Sequence, residues 1–83
     1  MNRKKLLRRL TRGAVQNVAF SDMAALVRGF GFVQVRTAGS HHIWVHPSLP
    51  EILNLQDVGG RAKPYQIRQF LRLVERYNLR LED

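Results

Sequence analysis

The chain contains no cysteine. That excludes a disulfide framework and any thiolate metal site, so a domain of 83 residues has to hold itself together by packing. A chain this short buries only about 60% of its unfolded surface, which leaves a thin core. It also lacks any apolar run near the roughly 20 residues that a membrane-spanning helix needs. The start, MNRKKLLRRL, is too charged and too poor in apolar residues for a secretory signal. Residence in the cytoplasm, with no membrane partner, is the expectation. Acidic residues are scarce, six in all and scattered. A two-metal hydrolase needs a cluster of carboxylate ligands, and these do not supply one.

What the chain has is positive charge. Fourteen Lys and Arg give a formal net charge of +8, with a sequence pI near 11.4. A surplus of that size repels itself and signals a polyanionic partner. Eleven of these cations are Arg, whose planar fork matches phosphate oxygens better than the point charge of Lys does. Nucleic acid is the leading candidate; an anionic membrane or an acidic protein stays open at this point.

Residues 3–12 carry six of the cations, with Leu6, Leu7 and Leu10 spaced as one helical stripe. Either a short basic helix docked by its leucines or a frayed arm fits, with Gly13 closing it. Ser21 offers an N-cap and Asp22 a favourable first-turn charge. Met23, Leu26, Val27 and Phe30 then form one face of a helix over 21–30, ended by Gly31. From Phe32 the period changes to two, so FVQVR reads as a strand. TAGS is a turn, HHIWVH a second strand stopped by Pro47, PSLP another turn and EILNL a short third strand. QDVGGRAK reads as a flexible polar loop, with Gly59-Gly60 a turn. Pro64 begins a final helix whose apolar face is Ile67, Phe70, Leu71 and Val74, ended near Asn78. Three strands in sequence make an antiparallel meander, and two amphipathic helices cover one face of it. The expected fold is therefore a single α+β domain over 1–83, ordered α-β-β-β-α, with a basic N-terminal extension at 1–13. Trp44 and Phe70 are assigned to the core. Which face of the middle strand meets the helices is open, since Ile43 and Val45 argue for one and Trp44 for the other.

AGSHHIWVHP, residues 38–47, holds all three histidines. On an extended strand His42 and His46 stand about 13 Å apart, too far to share one ion with bonds near 2 Å. His41 and His42 point to opposite faces, so a histidine metal cluster is not expected, and no cofactor is. Histidine can instead take and give protons near neutrality. RNA carries its own nucleophile, the ribose hydroxyl beside each phosphate, and its cleavage needs a base, an acid and cations. Arg61 and Lys63 stand just before the last helix, whose free N-terminal amides favour an anion. Arg68, Arg72 and Arg76 repeat every four residues along that helix, and an anionic partner would relieve their repulsion. From the residues alone, polar strand histidines on a non-catalytic RNA-binding surface remain the simpler account.

The segments FSDMAALVRGFGFVQVRTAGSHHIWVHP, LNLQ and AKPYQIRQFLRLVERYNL, in that order, resemble the HicA-like family, small mRNA interferase toxins of bacterial type II toxin–antitoxin pairs. The resemblance implies a fold like a double-stranded RNA-binding domain, with three antiparallel strands and two main helices on one face. It implies metal-independent cleavage of mRNA and neutralisation by a cognate HicB-like antitoxin. The family's Gly-Ser-His motif falls on Gly39, Ser40 and His41, making His41 the expected catalytic residue. Gly39 and Ser40 present it, and with Arg61, Lys63, Arg68 and Arg72 they form the expected RNA contacts.

Overall fold

The computed structural model describes residues 1–82; Asp83, the last residue of the expected domain, lies outside the described residues. Three helices and a four-stranded antiparallel sheet follow one another as α1 (Arg3–Thr11), α2 (Phe20–Gly29), β1 (Val33–Ala38), β2 (His41–Val45), β3 (Leu53–Val58), β4 (Arg61–Ala62) and α3 (Pro64–Arg76). The strands lie in sequence order, β1-β2-β3-β4. This is an α+β fold broadly of the double-stranded RNA-binding type, with one strand more than the sequence suggests.

The fourth strand comes from QDVGGRAK, which is no flexible loop. Gln56, Asp57 and Val58 continue β3, and Val58 pairs with Arg61 across a two-residue turn. Gly59 and Gly60 both have positive φ, +58° and +84°. That is the type I′ geometry that lets a two-residue hairpin follow the twist of its strands, and glycine adopts it without a Cβ clash. Asp57 Oδ1 accepts from the Gly60 N–H at 2.8 Å and braces the turn.

All three helices stop in the same way. In α1 the N–H groups of Gly13 and Ala14 reach back to Leu10 and Arg9, the two bonds of a Schellman motif with Gly13 at φ +94°. Gly31 ends α2 likewise, and Asn78, at φ +51°, ends α3. The helix starts follow the sequence less closely. Ser21 does not cap α2; Ala19 stands at the N-cap with no side-chain bond. The start is fixed from outside the helix, because the Phe20 N–H donates to Gly60 O and the Ala62 N–H to Val18 O.

The core lies between the sheet and the helices. Trp44, Leu53 and Leu55 project from the strands onto Met23, Leu26, Val27, Phe30, Ile67 and Phe70, all buried. The Trp44 face of β2 is thus the covered one, and the Ile43–Val45 face is open. The register agrees, pairing Trp44 with Leu53 and His42 with Leu55 on the covered side, and Ile43 with Asn54 on the open side. Trp44 is fully buried, its indole N–H has no partner among the described residues, and the Arg28 guanidinium sits 5.1 Å from its ring. The N-terminal extension is a helix rather than an arm. Asn2 caps α1 by accepting from the Lys5 N–H at 3.0 Å, and Leu6 and Leu10 are buried in the common core. Among the described residues no helix is long and apolar enough to cross a membrane.

Candidate active site on the open sheet face

The β1–β2 hairpin sets the position of His41. Ala38 pairs with His41 across the two-residue turn Gly39-Ser40. Gly39 has φ +60° while Ser40 is not left-handed, the pattern of a type II′ turn, which wants glycine first. This turn starts β2 at His41 and fixes its parity. With Trp44 committed to the core, His42 and Trp44 must point inward, and His41, Ile43 and Val45 outward. A one-residue change in the turn would exchange the two histidines.

On the open face His41 is half-buried, and its Nδ1 is held by Asn54 on β3. Both atoms of the Asn54 amide are within reach, Nδ2 at 3.0 Å and Oδ1 at 3.2 Å. With the amide nitrogen turned toward the ring, Asn54 donates and the imidazole proton sits on Nε2. With the oxygen turned toward it, Asn54 accepts from Nδ1–H and Nε2 is bare. Among the described residues His41 Nε2 has no hydrogen-bond partner, and it is not a buried atom. One ring nitrogen is anchored and the other faces solvent.

The sheet register shows what surrounds it. Gln56 is directly across from His41 on β3. On β1, Arg36 pairs with Ile43, which makes it a diagonal neighbour of His41 on the same face, about 7–8 Å away. On the far side Arg61 pairs with Val58 on that face too, and lines a shallow depression with Lys63, Gln16, Asn17 and Pro64. Gln56 is held in place from behind, since its backbone N–H donates to Oε1 of the buried Gln66 on α3.

The other two histidines are occupied differently. His42 packs its ring 4.6 Å from that of Phe20, with Nδ1 3.1 Å from Gln34 Nε2. Since Gln34 can only donate there, Nδ1 is the acceptor and the proton is on Nε2. His46 follows β2, with Nδ1 accepting the Ser48 N–H at 3.1 Å and its ring edge-on to Phe32. Among the described residues no three His, Asp or Glu side chains gather where they could hold a metal ion.

Of the residues expected at the site, Gly39, Ser40, His41 and Arg61 meet on the open face or its turn, and Lys63 stands beside it as the N-cap of α3. Arg68 and Arg72 do not join them. Both are exposed on the side of α3 opposite Ile67, Phe70 and Leu73, so the whole helical layer separates them from His41. Sequence reasoning missed Asn54 and Arg36. In LNLQ the alternation does place Asn54 and Gln56 opposite the two leucines, and that was the available signal.

The family model for HicA toxins of bacterial toxin–antitoxin systems matches residues 20–75, about two thirds of the chain and the whole of this site. No curated protein and no solved structure matches.

Proposed function

The chain belongs to the HicA toxin family of bacterial toxin–antitoxin systems, and from that premise we propose that it is an endoribonuclease that cuts messenger RNA with His41 as its proton-transfer residue. The observation that carries this is the His41 ring on the open sheet face, anchored at Nδ1 by Asn54, with Nε2 unpartnered among the described residues and Arg36 its diagonal neighbour.

Cleavage by the ribose hydroxyl forms a bond from the 2′ oxygen to phosphorus and breaks the bond from phosphorus to the 5′ oxygen. The 2′ proton has to leave and the 5′ oxygen has to gain one. A bare Nε2, with the Asn54 oxygen on Nδ1–H, takes the 2′ proton. The imidazolium so formed, its Nδ1–H still on the Asn54 oxygen, gives the Nε2 proton to the 5′ oxygen and returns to the neutral ring. Arg36, the diagonal neighbour of His41, would offset the extra negative charge of the phosphorane, and Arg61 farther across the same face would hold the RNA backbone. Lys63 and the first amides of α3 hold a neighbouring phosphate. No step draws on a metal ion.

Family membership brings an antitoxin partner, which we take to be of the HicB type. The open face offers apolar surface for such a protein, with Val33 and Ile52 more than half exposed at one end and Val58 half exposed at the other. A protein seated there would cover His41.

The test is cleavage of a messenger RNA by the free toxin and by His41→Ala, each with and without a chelator. The expected result is cleavage that survives chelation and falls by a factor on the order of 10² to 10⁴ in the variant, with RNA binding retained. Binding without cleavage by either protein would leave an RNA-binding module and remove the enzyme.

A further inference from the structure

We infer that the exposed face of α1 is a second polyanion-binding surface, a tether for the RNA phosphate backbone on the helical side of the molecule. Helix α1 lies outside the matched segment 20–75, and it packs on α2, not on the sheet that carries His41. Lys4, Arg8 and Arg12 recur every four residues and Lys5 stands beside them, so all four share one side of the helix. All four are exposed, and among the described residues none has a side-chain hydrogen bond or ion pair.

The helix accounts for only part of this clustering: Arg8 and Arg12 lie at its C-terminal end, where the dipole favours cations, but Lys4 and Lys5 do not. Like charges four residues apart destabilise a helix. Cations near its N-terminus oppose the helix dipole, and no acid stands in the first turn to offset them. Docking by Leu6 and Leu10 holds the helix in place, while Asp22 beside Lys4 and Lys5 offsets the stripe only in part, one acid against four cations.

The composition of the stripe selects among polyanions. A protein interface needs an apolar centre and is depleted in lysine there; on this side the helix offers only cations and Thr11, with Met1 and Asp22 in the depressions beside Lys4 and Lys5. A membrane-surface helix inserts its apolar side, and here Leu6 and Leu10 are already buried in the core. A phosphate backbone asks only for cations in a row and returns its condensed counterions to solution. Because the stripe is far from Nε2 of His41, it contributes to holding the substrate and not to proton transfer.

The experiment uses the full chain and the triple variant K4Q/R8Q/R12Q, which keeps both leucines. Binding of a single-stranded RNA is followed by fluorescence anisotropy across a salt series. Three phosphate contacts removed lower the slope of log K against log salt by roughly 2, which weakens binding on the order of a hundredfold at 0.1 M salt. R8K/R12K, which keeps the charge, retains the parental slope and controls for misfolding, as does an unchanged circular-dichroism spectrum. An unchanged salt slope in the triple variant overturns the inference, and loss of antitoxin binding with that slope unchanged reassigns the stripe to a protein partner. The kinetic arm rests on the ribonuclease reading: KM rises in the triple variant while kcat does not fall. If the parent protein cuts no RNA yet the slope still drops, the tether stands and the ribonuclease reading fails.

Discussion

An imidazole can shuttle a proton only if one nitrogen is held and the other is free, and at His41 the holding group is the Asn54 amide. Its value lies in being donor and acceptor at once, so either tautomer of the ring has a partner. Asn54→Ala removes both. One hydrogen bond is worth about 1 kcal/mol, so kcat is expected to fall about five- to tenfold with KM little changed. Asn54→Asp can only accept from Nδ1–H and adds a negative charge, so it favours the imidazolium. The check is the pH–rate profile, whose acidic limb, set by the bare ring that takes the 2′ proton, moves to higher pH in Asn54→Asp; identical profiles for parent and variant would reduce Asn54 to a structural residue. His42 gives the contrast. It is adjacent in sequence, but its ring is packed on Phe20, and His42→Ala should lower stability more than it alters the chemistry of cleavage.

At the scale of elements, the turn after β2 is tied to the end of α3 by one carboxylate. Glu51 Oε2 meets Arg76 Nη1 at 3.0 Å, and Tyr77 donates its hydroxyl hydrogen to Oε1. The Tyr77 hydrogen bond, helped by Arg76, holds the Glu51 carboxyl below its ordinary value of 4.5, while the same bond raises the tyrosine above 10.0. A depressed carboxylate stabilises the fold above its unfolded value, and that contribution disappears as pH falls through the folded one. A raised tyrosine acts in the opposite direction, losing its contribution as pH climbs past 10.0. Glu51→Gln should therefore be slightly less stable than the parent near neutrality and level with it by about pH 3, so that it loses less on acidification, the whole effect being small because the pair is exposed. Parallel acid limbs for the two proteins would show that the tie contributes nothing. At the other turn of the fold, Gly31 ends α2 at φ +91°, and a Cβ there would sit 3.2 Å from His46 Nε2. Gly31→Ala combines that left-handed strain with a tight contact, and a loss of about 1–2 kcal/mol is expected in denaturant unfolding.

At the scale of the molecule, one thin core serves two unlike surfaces. The open sheet carries His41 with Arg36 and, farther across it, Arg61, and the helical side carries the cations of α1 and α3. Helix α1 belongs to the core as well as to the surface, since Leu10 is fully buried and Leu6 nearly so. Leu10→Ala is expected to cost 2–5 kcal/mol, and in a domain of this size each kcal/mol lowers Tm by roughly 4–8 °C. A chain cut back to the segment from residue 20 onward would expose the same core. A truncated protein melting at the parental temperature would refute that account.

Much of this was legible in the chain because it depends on local pattern. The stripe Met23, Leu26, Val27 and Phe30, the alternation of FVQVR, proline at the start of α3 and the glycine or asparagine stops each specify an element from neighbours a few residues away. The paired glycines carried a hairpin signal too, but polar flanks disguised β4 as a loop. The motif at Gly39, Ser40 and His41 was readable for the same reason, since a tight turn and a strand parity are short-range matters. Three things were decided only in three dimensions. Burial of Trp44 against α2 and α3 sent His41 to the open face, because one strand cannot present both parities to the core. Asn54 and Arg36 reached that face through strand register, which joins His41 to Gln56 and so residues 15 positions apart, and follows from pairing geometry, not composition. And the outward side of α3 carried Arg68 and Arg72 away from the histidine, because an amphipathic helix that buries Ile67 and Phe70 must turn its charged side to the opposite solvent.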